Sequence, residues 1–324
     1  MYVGGLLGLA LLIGLFVHAD LGAMLRTWEV AGWRLLWLVP YRAGYFLLYA
    51  IGWRALLRES DPESRASFGY VYWVTTVRDA IDRLLPVASV GGGVAAVRLM
   101  RWRTLPTTPV VASVIVEILL TLFVVYIFTA IGLVLLLHGH TVGVPLDEIA
   151  LAFIASLLFP IVLIVVLRRG AIFQRLHGLL RPIVGKRLLA EGAESLDAEL
   201  QAALRRTRTL AVAGSTQLLA FISASFEVWF ALRLFGHPVG AETAVILESL
   251  TQAVRYVAFI VPAGVGIQEV AFVAFGHLLG VSTDMALSVS MAKRLREILC
   301  GTPSLASWQW IEGRRVRAIA RAVR

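Results

Sequence analysis

The sequence predicts an all-α protein that crosses a membrane several times. Of its 324 residues, 59% are hydrophobic and only 16% are charged, whereas soluble domains are about 45–50% apolar and about 25% charged. Six apolar runs each approach or exceed the length of about 20 residues that a bilayer-spanning helix needs. Two further apolar segments are interrupted by Pro and Gly near their centres. We therefore predict one transmembrane domain over residues 1–324, with about six full spans and two re-entrant hairpins.

The predicted spans are separated by short polar or basic segments. In chain order they are Tyr2–Ala19, Trp33–Ile51, Pro109–Leu137, Ile149–Leu167, Thr209–Phe235 and Asp284–Ile311. The loops 138–148 and 236–242 contain neither Lys nor Arg, whereas the loop 168–208 and the tail 312–324 are rich in Arg. Because cytoplasmic loops carry an excess of Lys and Arg, we predict that both basic segments and both chain termini are cytoplasmic.

The basic loop 168–208 has apolar residues at helical spacing, including Ile172, Leu176 and Ile183, among its basic residues. Such an amphipathic helix can lie on an anionic leaflet. A charge cluster that only sets the orientation of the chain is an equally good interpretation of these residues.

The two interrupted segments, Phe68–Arg101 and Glu242–Gly280, follow the same plan. Each has an arginine, an apolar helix, a proline, a loop of small residues and a second apolar helix. The predicted hairpin tips are Pro86, Gly91 and Gly92 in the first segment and Pro262, Gly264 and Gly266 in the second. Proline ends a helix, and glycine permits a tight reversal. The flanking charges place the two segments in opposite orientations, as in the inverted repeats of transporters. Two ordinary helices kinked at proline are the alternative.

Many ionisable residues lie inside these apolar segments, where an unpaired charge at the bilayer centre costs about 2.5–3.5 kcal/mol on insertion scales. They are Arg78, Asp79, Asp82, Arg83, Glu117, Glu227, Glu248, Arg255, Glu269, Lys293, Arg294, Arg296 and Glu297. Helical spacing brings Arg78 within reach of Asp82 and Asp79 within reach of Arg83, and Glu297 within reach of Lys293 and Arg294. We predict a polar site in the membrane; a purely structural salt-bridge network is the alternative.

This site would contain charges of both signs. The basic residues predicted to hold an anionic or polyhydroxylated headgroup are Arg78, Arg83, Arg98, Arg255, Lys293 and Arg294. The residues Glu117, Glu248, Glu269 and Glu297 would balance these charges or carry a proton.

Several function classes have no motif in this sequence. It contains no Walker A, HExxH or Gly-x-Ser-x-Gly motif, and no nucleic-acid-binding module accompanies its net charge of +9. The lone Cys300 excludes an intramolecular disulfide. His138 and His140 have no evident third ligand, so we predict no metal site and no cofactor.

At the level of motifs, the stretch from Arg78-Asp79 through Leu84-Leu85-Pro86 and Gly91-Gly92 to Arg98 resembles the lysylphosphatidylglycerol synthase transmembrane family, also called flippase-like. The stretch Val261–Glu269, with Ser290–Glu297, is similar to the hopanoid-biosynthesis-associated branch of that family. The resemblance covers about residues 33–312. Its motif positions in this chain are Arg78, Pro86, Gly91, Gly92, Arg98, Pro262, Gly264, Gly266, Gln268, Glu269, Lys293, Arg294, Arg296 and Glu297.

The resemblance implies a multi-pass protein of the bacterial inner membrane that moves lipids between leaflets, with hopanoids or anionic phospholipids as partners. The chain departs from the family pattern at Gly93, where an acidic residue is expected, at Asp82, where Asn is expected, and at Ala263, where Gly is expected. The soluble synthase domain of the parent family is missing, so we expect no aminoacylation of lipids. The leading hypothesis is a non-enzymatic lipid translocase or lipid-transport factor delivering hopanoids toward the outer membrane. The alternatives are a membrane-embedded headgroup-modifying enzyme and a non-catalytic scaffold of a lipid-synthesis complex.

Overall fold

A computed structural model describes residues 13–14, 21–85, 91–139, 151, 153–154, 162, 186–258, 261 and 264–322. All regular elements within these ranges are helical, which confirms the predicted all-α class. They are α1 (Leu21–Ala31), a 3₁₀ helix (Gly32–Trp37), α2 (Leu38–Leu57), α3 (Phe68–Leu84), α4 (Gly91–Arg101), α5 (Thr107–Gly139), α6 (Lys186–Arg205), α7 (Thr207–Leu234), α8 (Ala241–Val257), α9 (Ile267–Leu278) and α10 (Thr283–Ala322).

Three helical stretches in the described part of the chain are long and apolar enough to cross a membrane. They are Leu25–Leu57, Thr107–His138 and Thr207–Leu234. Each contains one of the spans predicted from the sequence, except that the predicted span Thr209–Phe235 extends one residue beyond Leu234. The first is longer than predicted because α1 and the 3₁₀ helix continue directly into α2.

The other predicted spans have different outcomes. Tyr2–Ala19 and Ile149–Leu167 lie almost entirely outside the described residues. Asp284–Ile311 lies within the 40-residue helix α10. At 1.5 Å per residue, α10 is about 60 Å long, twice the roughly 30 Å hydrocarbon thickness of a bilayer. It is not among the three apolar stretches, and charged residues at 293–297 and from Glu312 onward lie on either side of its uncharged middle.

Both interrupted segments are broken helices in the structure. In the first segment, α3 ends at Leu84 and α4 begins at Gly91. The backbone N–H of Gly92 donates to the Asp82 carboxylate at 2.9 Å. In the second, α8 ends at Val257, α9 begins at Ile267, and the two helices pack against each other. The predicted tips Pro86 and Pro262 lie outside the described residues. Gly264 and Gly266 have positive φ angles of 59° and 77°, which only glycine adopts readily. The opposite membrane orientation of the segments stays a prediction.

The chain divides into two compact units. The first comprises Met1–Leu47, Tyr72–Ala96 and Ile222–Arg324, and the second comprises Leu48–Val71 and Val97–Phe221. The core of the first unit is apolar and takes side chains from α1, α7, α8, α9 and α10. Its fully buried members include Leu232, Leu247 and Phe272.

The second unit has its own buried contacts. The indole of the fully buried Trp53 donates to Ser113 at 3.3 Å, and the Thr121 hydroxyl donates to Gln217 at 3.2 Å. Helix α6 packs against α5. Helix α6 forms the second half of the predicted amphipathic loop, whereas the apolar residues 172–183 lie outside the described ranges. The predicted cytoplasmic role of this loop stays a prediction.

Candidate functional site

A network of buried charges occupies the first compact unit. Its members come from six helices, because α2, α3, α7, α8, α9 and α10 each place at least one polar side chain inside. The side chains joined by consecutive hydrogen bonds or ion pairs are Arg42, Tyr45, Asp79, Arg83, Glu227, Arg255, Gln268, Glu269, Ser290, Arg294, Arg296 and Glu297. Most of these side chains are buried, whereas Asp79, Arg83 and Arg294 are partly exposed.

One part of the network connects α2, α3 and α10. The Arg42 guanidinium pairs with Asp79, and Asp79 also accepts from Arg83 Nε at 2.7 Å. Arg83 Nη1 then reaches Glu297 Oε1 on α10 at 2.6 Å. The Asp79–Arg83 pair agrees with the prediction from helical spacing. Each carboxylate here lies between two arginines, so neither oxygen of Asp79 or Glu297 is left without a donor.

Arg294 extends the network to the second broken segment. Its guanidinium donates to Glu297 Oε2 at 3.2 Å, to Glu269 Oε1 at 3.0 Å and to the backbone carbonyl of Gly264 at 2.9 Å. Glu269 is in the first turn of α9, and Gly264 belongs to the loop that precedes it. One arginine of α10 therefore holds both the loop and the start of α9. Through Glu297 and Arg83, the two broken segments are joined by ion pairs.

A polar branch connects α8, α9 and α10. Arg255 Nη1 donates to Gln268 Oε1 at 2.8 Å, and Gln268 Nε2 is 2.9 Å from Ser290 Oγ. The Ser290 hydroxyl donates to Glu269 Oε1 at 3.3 Å. Gln268, Glu269 and Ser290 are fully buried. A Cβ atom added to Gly264 would lie 3.4 Å from Arg255 Nε, so the glycine allows the loop to approach this arginine closely.

A second branch connects α2, α7 and α10. Arg42 Nη1 donates to Tyr45 Oη at 3.1 Å, and the Tyr45 hydroxyl donates to Glu227 Oε2 at 2.8 Å. Arg296 Nε donates to Glu227 Oε1 at 2.8 Å. Glu227 is fully buried and Arg296 is 3% exposed. Among the described residues, Arg296 Nη1 is buried without a hydrogen-bond partner.

Lys293 forms a separate buried pair with Glu248 at 2.6 Å. Gln252 donates to the other oxygen of Glu248 at 2.8 Å, and the Lys293 ammonium lies 5.2 Å from the centre of the Phe272 ring. Helical spacing had also placed Lys293 within reach of Glu297, but the structure pairs it with Glu248 instead. Lys293 faces α8, whereas Arg294 faces the loop and the start of α9, because consecutive residues on a helix point about 100° apart.

The remaining predicted residues are not part of the described network. Arg98 is exposed and Glu117 is buried, and both belong to the second compact unit. Asp82 accepts from the Gly92 N–H, which joins the end of α3 to the start of α4. A Cβ atom added to Gly92 would lie only 2.6 Å from the Arg78 carbonyl oxygen. Gly92 therefore allows the close return of the chain at the first break.

The structure adds residues that the predicted site omitted. Arg42 and Tyr45 are absent from the predicted site, Ser290 enters it only as the first residue of a motif stretch, and Glu227 enters it only as a charge inside a span. Arg42 carried the same signal as the others, since it is an arginine within the predicted span Trp33–Ile51. Tyr45 and Ser290 gave no comparable signal, because hydroxyl groups are common in membrane helices. Only their neighbours in space identify them.

The arrangement is suited to holding and exchanging charge. Within the described ranges, no three His, Cys, Asp or Glu side chains come together as a metal site would require. Ion pairs inside a membrane are expensive to form without good partners and mark polar pathways. Here nearly every charged group has a partner, and several have two. An exchange of partners could therefore proceed without leaving an ion alone.

Comparison with known proteins identifies the family. Residues 2–302 match the family model described as the lysylphosphatidylglycerol synthase TM region. Searches of curated proteins and of solved structures gave no match. The family match covers most of the chain and agrees with the apolar spanning helices and the all-α fold. The chain therefore belongs to the lysylphosphatidylglycerol synthase TM-region family and is a membrane protein of lipid metabolism or transport.

Proposed function

We propose that this protein translocates lipids across the bacterial inner membrane or releases them from it for transport. Its proposed cargo is hopanoids that are delivered toward the outer membrane. The observation that carries the proposal is the ion-pair chain from Asp79 and Arg83 through Glu297 and Arg294 to Glu269. This chain joins the two broken segments of a protein whose family is one of lipid metabolism or transport.

The cost of burying these groups supports a functional interpretation. A buried ion pair often contributes no more stability than apolar residues of similar volume would. A network of five arginines and four carboxylates, as found among the described residues, is therefore an inefficient way to stabilise a membrane fold. Such groups are expected where a polar molecule has to be accommodated inside the membrane.

The proposed mechanism uses the breaks in the helices. A lipid enters from the bilayer with its polar headgroup toward the network, while its apolar part stays in the hydrocarbon. Arginines donate hydrogen bonds to the headgroup oxygens, and the displaced carboxylates are taken up by the neighbouring arginines. Rearrangement of the two broken segments then changes which face is open, as in transporters built from discontinuous helices. Both chain termini are cytoplasmic in this proposal, in agreement with the basic tail.

A lipid-movement assay tests the proposal. Purified protein is reconstituted in proteoliposomes, and the transfer of labelled hopanoid and labelled phosphatidylglycerol between leaflets is followed. The test variant is Arg83→Gln. It is expected to fold, because Asp79 keeps Arg42 and Glu297 keeps Arg294 as partners. The control is Arg233→Gln, which removes the same charge from an exposed residue of α7.

We expect wild type and the control to move at least one probe and Arg83→Gln to move it much more slowly. Movement of hopanoid rather than phosphatidylglycerol would support the proposed cargo, and the opposite preference would overturn it. If folded wild-type protein moves neither probe, the translocase proposal is wrong. Chemical conversion of a probe lipid in the same vesicles would instead identify a membrane-embedded enzyme.

A further inference from the structure

Glu269 differs from the other four carboxylates whose ion pairs are described in the first unit. Asp79, Glu227, Glu248 and Glu297 each accept a hydrogen bond on both carboxylate oxygens. Glu269 receives two donors on Oε1, whereas its Oε2 is buried and has no partner among the described residues. A buried anionic oxygen without a donor is unfavourable. Among these five carboxylates, Glu269 is thus the one whose ionised form has an oxygen without a donor.

Proton binding at Glu269 would leave no cation without a carboxylate. Its ion-pair partner Arg294 also pairs with Glu297 and donates to the Gly264 carbonyl. By contrast, protonation of Glu227 would deprive Arg296 of its only described carboxylate. The other members of the network therefore tolerate a neutral Glu269 better than a neutral Glu227.

The charges around Glu269 link its protonation to movement. Arg294 faces it from α10 and favours the ionised form. Arg255 on α8 is connected to Glu269 through Gln268 and Ser290. Lys293 is turned toward Glu248, and Glu297 reaches Glu269 only through Arg294. Proton uptake is therefore favoured when Arg294 moves away from Glu269. Since Arg294 also holds Gly264, that movement loosens the loop that precedes α9.

We propose that Glu269 is a proton-binding site and that its protonation releases the Arg294 contact to the second broken segment, which couples this protein to protons. Coupling to lipid movement rests on the proposed function, whereas proton binding itself does not. The proton adds to Oε2 and converts the carboxylate to a neutral acid; no other bond is formed or broken. Membrane carboxylates of pumps and transporters relay protons in this general manner.

An infrared titration of the full-length protein in lipid nanodiscs tests the proton site. The C=O stretch of a protonated carboxylic acid is recorded as the pH is lowered, for wild type, Glu269→Gln and Glu242→Gln. Glu242 is an exposed acid at the start of α8 and serves as the matched control. We expect a reversible band in wild type and in Glu242→Gln whose component in a low-polarity environment is missing in Glu269→Gln. Identical bands in all three proteins would overturn the proposal.

A second measurement examines the link to the loop. Hydrogen exchange of the segment 261–270 is compared in wild type and Glu269→Gln at neutral pH, after both are shown to be folded. We expect faster exchange in the variant, because the neutral amide mimics the protonated state and binds Arg294 less strongly. Arg294→Lys, which keeps the charge but reduces the number of donors, is expected to shift exchange in the same direction. Unchanged exchange in both variants would show that the loop is not held in this way.

Coupling is measured in the proteoliposome assay with an imposed pH gradient. We expect the wild-type rate of lipid movement to respond to pH by up to about tenfold per pH unit, the limit for one titrating group, and Glu269→Gln to lose this response whatever its basal rate. An equal response in both would overturn the coupling. If no lipid moves at all, the proposed function fails, while the infrared result still decides whether Glu269 binds a proton.

Discussion

The buried pair between Glu227 and Arg296 permits a quantitative test of how the network is held together. Both residues are at most 3% exposed, and the Nε–Oε1 distance is 2.8 Å. Replacing Glu227 with Met removes the described hydrogen-bond partner of the buried Arg296 guanidinium. The Nη1 atom of Arg296 already has no partner among the described residues. The substitution also removes the acceptor of the Tyr45 hydroxyl. Breaking a buried pair costs about 3–5 kcal/mol, and an orphaned hydroxyl adds about 1 kcal/mol. We therefore expect Glu227→Met to lose about 5 kcal/mol.

The reciprocal change is expected to be milder. Arg296→Met leaves Glu227 with its hydrogen bond from Tyr45, so we expect a loss near 3 kcal/mol, the lower end of the range for a broken buried pair. The double variant removes both charges and substitutes side chains of similar length. Apolar replacement of a whole buried pair is often neutral. We expect the double variant to lie within about 2 kcal/mol of wild type, the remainder coming from the unsatisfied Tyr45 hydroxyl.

The free energy of unfolding is measured by titration with SDS from detergent micelles, with tryptophan fluorescence as the signal. Arg233→Met is the control, because Arg233 is exposed and its contact with the Trp229 ring is worth only about 0.5–1 kcal/mol at an exposed site. The decisive result is the order of the variants, since the double variant should be more stable than either single one. If the double variant loses roughly the sum of the single losses, about 8 kcal/mol, the two charges do not compensate each other and the reasoning is refuted.

Three further predictions concern close packing at the breaks and along α10, and unfolding titrations check each of them. Gly92→Ala is expected to destabilise the protein by about 3 kcal/mol, the upper end for overpacking. The reason is that the new Cβ would lie 2.6 Å from the rigid backbone oxygen of Arg78. A loss of stability below about 1 kcal/mol, the lower end for overpacking, would contradict this contact. Asp82→Ala is expected to lose about 1–2 kcal/mol through the orphaned Gly92 N–H, whereas Asp82→Asn retains an acceptor and should lose less; equal losses would argue against the hydrogen bond. Gly301→Ala is expected to lower the free energy of unfolding by about 1–2 kcal/mol, since its Cβ would lie 2.6 Å from Leu84 Cδ1. Leu84→Ala in the same chain should relieve this clash. Failure of this rescue would refute the contact.

The spans and the breaks follow from information local to the sequence. Apolar length alone predicted the helices within Leu25–Leu57, Thr107–His138 and Thr207–Leu234 to within a few residues, apart from the extension of the first. The glycines and prolines near positions 86–92 and 262–266 predicted the interruptions, because these residues restrict or release the backbone wherever they occur. The start of α10 was predicted to within one residue, whereas its end was predicted at Ile311 and lies at Ala322, because the helix continues into the basic tail.

The pairing of charges is where the sequence was insufficient. Spacing along one helix correctly predicted Asp79 with Arg83 and Arg294 with Glu297. It could not predict Lys293 with Glu248, Arg83 with Glu297 or Arg42 with Asp79, whose partners are 37 to 214 positions apart. Glu117 and Arg98 had the same composition signal as the network residues, yet they belong to the other compact unit.

The sequence by itself therefore determined the all-α class, the membrane environment and the presence of charges that an apolar segment must accommodate. Hydrophobicity and helix-breaking residues act locally, so they can be recognised in the chain. The tertiary structure alone decided which charges meet, that Arg294 holds both Gly264 and Glu269, and that one oxygen of Glu269 has no partner. Those facts depend on the rotation of each helix about its axis and on its neighbours, and a linear pattern carries neither.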